Sequence, residues 1–214
     1  MSAQLINREK ALIFRITHRM NIAWIAENGL HCATSDTSDP NFIAIGNAEL
    51  IGRRRYKALP EPFDGTLGDH IPFYFTPFSP MMYNIHTGYG GVERQRNEDI
   101  VILVSSMARL ALHNVPFVFS DRHAYLDWAR FSDDPEDLDW IDWTMLAARD
   151  FKRDPNDPGK FEKYEAEALI RTHLPVEGLI GVACYNNAVT AEVAEELTSA
   201  GAEVQARARP GWYF

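Results

Sequence analysis

Four stretches of the chain carry reactive or ligand-holding side chains in patterns that core packing alone does not call for. They are Phe14-Arg15-Ile16-Thr17-His18, Ile51-Gly52-Arg53-Arg54-Arg55, Pro72-Phe73-Tyr74-Phe75-Thr76-Pro77-Phe78-Ser79-Pro80-Met81 and Tyr164-Glu165-Ala166-Glu167-Ala168-Leu169-Ile170. From Gly52 to Lys57 four positive charges fall in six residues, a local field able to hold a polyanion or to stand as a solvated turn. Glu165 and Glu167 share a face if their segment is a strand. Ala-Glu-Ala-Leu favours helix on propensity, so strand and helix both stay open there. The aromatic run from Phe73 to Phe78 can stack on a flat ring or pack into a core.

Other chemistries find less support. The seven histidines (18, 31, 70, 86, 113, 123, 173) are scattered, with no His-x-His or His-Glu-x-x-His, so no zinc site is expected. No Gly-x-Ser-x-Gly elbow marks a serine nucleophile. No Gly-x-Gly-x-x-Gly follows a strand and no Walker loop is present, which leaves a Rossmann or P-loop site unsupported. Asp and Glu are plentiful, but no paired spacing argues for a carboxylate nuclease. Cys32 and Cys184 sit in apolar stretches and read as small core residues.

The elements that must position these groups can be read in outline. Ala11 to Thr17 is a strand, and Asn21 caps a helix that Gly29 stops. Residues 35–70 are rich in Ser, Asp, Pro and Gly and form a long irregular excursion, a length that usually serves function. Ile71 to Thr76 is a strand, with Ser79-Pro80 opening a helix through Ile85. Ile100 to Val104, Val115 to Phe119, Leu179 to Tyr185 and Val204 to Arg209 are further strands. A short helix spans Ser106 to His113, and Thr190 caps another ending at Ala200-Gly201. Between 120 and 160 the chain reads as turns and short helical pieces.

The expected class is α+β, with connections too irregular for repeated βαβ units. The 214 residues suit one domain, 1–214, at 46% hydrophobic and 24% charged residues. No apolar run is long enough to span a bilayer, and the polar start MSAQLINREK has no signal-peptide core, so a cytoplasmic address is expected. Twenty-one basic against thirty acidic residues give a net charge of −9, which argues against generic nucleic-acid binding. The charge is uneven, with six acids and no base between Ser132 and Asp142, so any polyanion must be held by local fields.

The four stretches, together with Glu49-Leu50-Ile51-Gly52, Gly65-Thr66-Leu67, Ala148-Arg149-Asp150-Phe151 and the terminal Gly211-Trp212-Tyr213-Phe214, resemble in order the DarT family, bacterial toxins that ADP-ribosylate single-stranded DNA. The resemblance covers essentially the whole chain. It implies the ADP-ribosyltransferase fold, a split mixed or antiparallel β-sheet gripping NAD in its cleft. Tyr74-Phe75…Ser79 is also similar to the tyrosine-phenylalanine strand of poly(ADP-ribose) polymerases, where a tyrosine stacks on nicotinamide.

The resemblance also assigns roles. Glu167 matches the catalytic glutamate, gripping the ribose 2′-hydroxyl as positive charge develops on the sugar. Glu165 is the second choice. Arg54 matches an arginine near the nicotinamide ribose, with Arg53 open as the alternative. A guanidinium seldom acts as a base, so positioning and charge are expected of it. Arg15, Ile16, Thr17 and His18 match the first-strand segment that holds NAD, with Leu30, Arg54 and Tyr74 completing the pocket. Many ADP-ribosyltransferases have His at the position of Arg15, which leaves open whether Arg15 or His18 meets the ribose.

The long stretch 120–167 would select the substrate, with Trp128 and Trp143 as stacking faces and Arg149, Lys152 and Arg153 as charge, the combination that holds single strands. The same tryptophans would equally stiffen a long loop as a local core. The implied acceptor is a DNA base, thymidine first, and the implied partner is a DarG-like macrodomain antitoxin. A non-catalytic single-strand-binding module and a transferase acting on RNA or protein are the competing readings. In an open cleft, Glu167→Ala is expected to abolish transfer and leave the fold intact.

Overall fold

Branched and aromatic residues make Leu12–His18 a central strand, β1, in a computed structural model that describes residues 5–214. Then come α1 (Ile22–Asn28), β2 (Leu30–His31), α2 (Ala48–Arg54), β3 (His70–Tyr74), α3 (Pro80–Thr87), β4 (Ile100–Ser106) and α4 (Met107–Leu112). The second half adds β5 (Phe117–Ser120), β6 (Phe131–Ser132), α5 (Trp143–Ala148), α6 (Lys160–Tyr164), β7 (Glu167–Arg171), β8 (His173–Leu174), β9 (Gly181–Cys184), α7 (Asn187–Ser199) and β10 (Gln205–Ala208). Eight strands form one mixed sheet in the order β10-β9-β4-β1-β3-β7-β5-β6, and β2 pairs separately with β8. Among the described residues only β9 and β10 run parallel, joined through α7. The α+β class and the split sheet expected from the sequence are both present.

The split lies between β1 and β3. β1 stays in register with β4 from Leu12↔Ser106 to His18↔Ile100. With β3 it pairs at Phe14↔Tyr74 alone. From Arg15 to His18 the edge of β1 turned toward β3 has no strand partner among the described residues. Unpaired backbone groups in a protein interior are costly, so such an edge is a natural ligand-facing line. The two sides of the split are held by fully buried side chains, including Ile13, Phe73, Phe75, Leu103, Phe119 and Ile170. The terminal motif packs here too: Trp212 meets Phe14 edge-on at 5.4 Å. The Tyr213 hydroxyl lies within hydrogen-bond distance of the carbonyls of Ile100 and Ala183.

Several local readings need correction. Asn21 precedes α1 but makes no side-chain cap; its amide donates to Thr17 Oγ1 (2.9 Å) and the Ile43 carbonyl (2.9 Å), and accepts from Ile43 N (2.9 Å). Thr190 is not a cap either: α7 starts at Asn187 under Asn186, and the Thr190 hydroxyl bonds back to the Asn186 carbonyl. The excursion 35–70 contains α2, and the Glu165–Ile170 ambiguity resolves to a strand beginning at Glu167. Ser79 does cap α3, while Ser106, read as the first residue of a helix, is instead the cap of α4. Cys32 and Cys184 are both buried and free. Among the described residues no helix is long and apolar enough to cross a membrane.

Candidate active site

Glu167 is the first residue of β7, flanked in register by Tyr74 on β3 and Ser120 on β5. That central place leaves it 1% exposed, correcting the expectation of an open-cleft carboxylate. A buried carboxylate needs full compensation. Arg54 supplies it bidentately, Nη1 donating to Oε1 at 2.8 Å and Nη2 to Oε2 at 2.5 Å. The Ala124 backbone N–H donates to Oε1 at 3.0 Å, and His123 Nδ1 lies 3.7 Å from the same oxygen. Burial alone would push the Glu167 carboxyl up. The Arg54 guanidinium, His123 and these hydrogen bonds outweigh it and hold the carboxyl below the ordinary range. The guanidinium is correspondingly held protonated, its own burial overcome by Glu167.

Arg54 arrives on α2, a helix with no buried residue of its own. Asn47 caps it by accepting from Leu50 N at 3.0 Å, and its charges suit the dipole, with Glu49 in the first turn and Arg53 and Arg54 in the last. Neighbouring residues on a helix point about 100° apart, so only one of the two arginines can turn inward. Arg54 does, at 12% side-chain exposure; Arg53 is 63% exposed and pairs with Glu49. Three residues before Ala124, Asp121 is a buried carboxylate that accepts from the Arg122 side chain and from both Arg130 N and its side chain, fixing the start of the loop. Sequence reasoning missed this support. A backbone N–H has no residue signature, and His123 was one histidine among seven.

Glu165 caps the end of α6, half-buried beside this pair. Its burial, reinforced by Glu167 and opposed by Arg54, pushes its carboxyl up to about 8. Tyr74 is half-buried, its hydroxyl 3.9 Å from Met81 Sδ. Burial and the two glutamates raise its phenol well above the ordinary value.

Arg15 stands at the split and donates from Nη1 to the Pro72 carbonyl at 2.9 Å, while its Nε is buried without a partner. Among the described residues no carboxylate lies within ion-pair distance of it, and burial lowers it to about 10. Ile16 and Thr17 are buried, and His18 accepts from Met20 N at the strand end. The Leu30 side chain is in the core and its main chain pairs with Leu174, so no hydrogen bond or ion pair joins it to the carboxylate cluster.

The five residues expected on DNA are less unified. Trp128 is 58% exposed, its Nε1 donating to Glu162. Glu162 also lines a surface hollow with Arg153, Pro155, Pro158 and Phe161. Trp143 is half-buried, edge-on to Phe75 at 5.4 Å, with Nε1 tied to the Leu138 carbonyl. The Arg149 guanidinium lies 3.5 Å over the Phe78 ring, and Lys152 and Arg153 are exposed. No group of three or more His, Cys, Asp or Glu among the described residues is placed to hold a metal ion.

A carboxylate held ionised one strand away from the split of the sheet, a guanidinium locked onto it and a second, half-buried arginine lacking an anion together suit a polar anionic ligand. Comparison with known proteins agrees. The family model "DarT: ssDNA thymidine ADP-ribosyltransferase" matches residues 14–214. A DNA ADP-ribosyl transferase of Escherichia coli O127:H6 (strain E2348/69 / EPEC) is 52% identical over 209 residues, covering 98% of this chain and 96% of the relative. The structure of Thermus sp. 2.9 DarT in complex with ADP-ribosylated ssDNA superposes with a TM-score of 0.85 at 32% identity, covering 96% of this chain and 97% of that one. The same protein in complex with NAD+ gives a TM-score of 0.81 over 96% of this chain and 98% of that one.

Proposed function

The chain belongs to the DarT family of single-stranded-DNA thymidine ADP-ribosyltransferases and as such transfers ADP-ribose from NAD to a base of single-stranded DNA; we propose that Glu167 and Arg54 carry the reaction, with thymine as the acceptor. The observation that carries the assignment is the bidentate Arg54–Glu167 pair, set at a strand start beside the split of the sheet.

NAD fits the side chains present. The partnerless Nε of Arg15 and its lack of a carboxylate suit a diphosphate, which a guanidinium can hold bidentately. The unpaired edge of β1 from Arg15 to His18 offers main-chain groups along the same line, and Tyr74 across the split offers a ring for nicotinamide. Glu167, kept ionised, orients a ribose hydroxyl and favours positive charge on the sugar as nicotinamide leaves. To do so it gives up one hydrogen bond now made by Arg54, which frees the guanidinium to meet the acceptor. Asn21, by holding Ile43, ties the stretch before α2 next to Thr17, where it can fold over the nucleotide.

The acceptor strand lies over Trp128, Arg149, Lys152 and Arg153, with Trp143 stiffening the surface beneath. A single strand suits a site that must reach a ring edge, since a paired base would first have to be flipped out. In the cell the protein acts as a cytoplasmic toxin whose mark blocks replication, restrained by a DarG-like macrodomain antitoxin. Glu167→Gln tests the assignment. The substitution keeps the shape and removes the charge, so transfer to a thymine-containing single strand should fall at least about a hundred-fold, followed by mass spectrometry. Transfer within a few-fold of the parent would remove Glu167 from the reaction.

A further inference from the structure

Thymine in DNA has one dissociable ring proton, N3–H. Whichever ring atom bonds to the sugar, that proton has to leave. The pair assigned to the reaction is poorly equipped to take it. Arg54 has no lone pair to offer, and Glu167, its carboxyl held below the ordinary range and committed to the ribose hydroxyl, is a weak base. His123 spends Nδ1 on the Tyr125 N–H, and burial keeps its imidazole below the ordinary range.

We propose that Glu165 is the general base that removes the N3 proton of the acceptor thymine. It stands two residues before Glu167, at the turn from α6 into β7, within the charge field of Arg54 from α2, Tyr74 from β3 and Glu162 from its own helix. Among the described residues nothing donates a hydrogen bond to its carboxylate, in contrast to the fully engaged Glu167. Its carboxyl, pushed up by burial and by Glu167 to about 8, is a stronger base than an ordinary glutamate and is matched to a neutral operating pH.

The step balances. The N3 proton passes to the Glu165 carboxylate as the thymine ring bonds to the ribose anomeric carbon. The bond from that carbon to nicotinamide breaks, its electron pair leaving on neutral nicotinamide. Glu165 then releases the proton to water. This inference rests on thymine being the acceptor.

The test measures single-turnover transfer by the parent enzyme and by Glu165→Gln, from about pH 6 to about pH 10, on a single strand with one thymine and on the same strand with 5-fluorouracil in its place. The fluorine makes N3–H more acidic and lessens the need for a base. The parent rate on thymine should rise with pH and level off near 8, where Glu165 ionises. Glu165→Gln should lose at least about a hundred-fold on thymine near neutrality, climb past the pH where the parent levels off, and recover most of the loss on 5-fluorouracil. An equal loss on both bases at every pH, or no loss, would overturn the proposal. If the variant does not fold, the parent profile still decides: a thymine rate that follows the base's own ionisation, with no earlier plateau, overturns it. A parent enzyme inactive on both bases removes the acceptor assignment, and this inference with it.

Discussion

Taking away the Glu167 carboxylate while keeping Arg54 strands a guanidinium whose side chain is 12% exposed, and a buried charge without its partner is expensive. Glu167→Ala should therefore cost about 3–5 kcal/mol in urea unfolding as well as abolish transfer, and the double variant Arg54→Leu/Glu167→Leu should be the more stable of the two. Equal stability would mean that the pair is solvated in solution. The two glutamates also respond to pH in opposite senses. Glu167, held below its ordinary value, stabilises the fold above the usual carboxylate range and loses that contribution as pH falls. Glu165, raised from 4.5 to about 8, favours the fold below 4.5 and loses that contribution as pH rises toward 8. Glu165→Gln should thus gain melting temperature over the parent as pH rises from about 5 to about 8; an offset that does not change with pH would contradict the raised carboxyl. The glutamates and Arg54 were legible as residue types in motif order. The choice between Arg53 and Arg54 was not, because it depends on the phase of a helix that the sequence conceals.

That helix, α2, illustrates what the sequence hides at the scale of elements. With no buried face it has no apolar period, and its neighbours in 35–70 are turn formers, so nothing marks it apart from Asn47 and its flanking charges. The apolar strands β1, β4 and β5 were readable because burial dictates their composition. The cap of α7 was misplaced onto Thr190 because Asn186 competes for the same role. Asn21 presents the opposite case, a cap-like residue whose three hydrogen bonds serve another element. Asn21→Ala should cost about 1–3 kcal/mol and release the stretch from 33 to 47, seen as faster limited proteolysis there. An unchanged cleavage pattern would show that something other than Asn21 holds this stretch.

For the molecule as a whole, a net charge of −9 means that a nucleic acid must be met by a local surface rather than by the overall field. We propose Arg149, Lys152 and Arg153, all three exposed, as that surface. Neutralising all three should weaken single-strand binding and reduce the slope of log affinity against log salt by up to about 2, measured by fluorescence titration. Unchanged binding would move the strand elsewhere. The central claim, transfer of ADP-ribose to thymine, is tested most directly by incubating the protein with NAD and four single-stranded oligonucleotides, each lacking one base type, followed by mass spectrometry. One ADP-ribose should appear on every oligonucleotide except the one without thymine. Modification of the thymine-free strand, or of none while NAD stays intact, would contradict it.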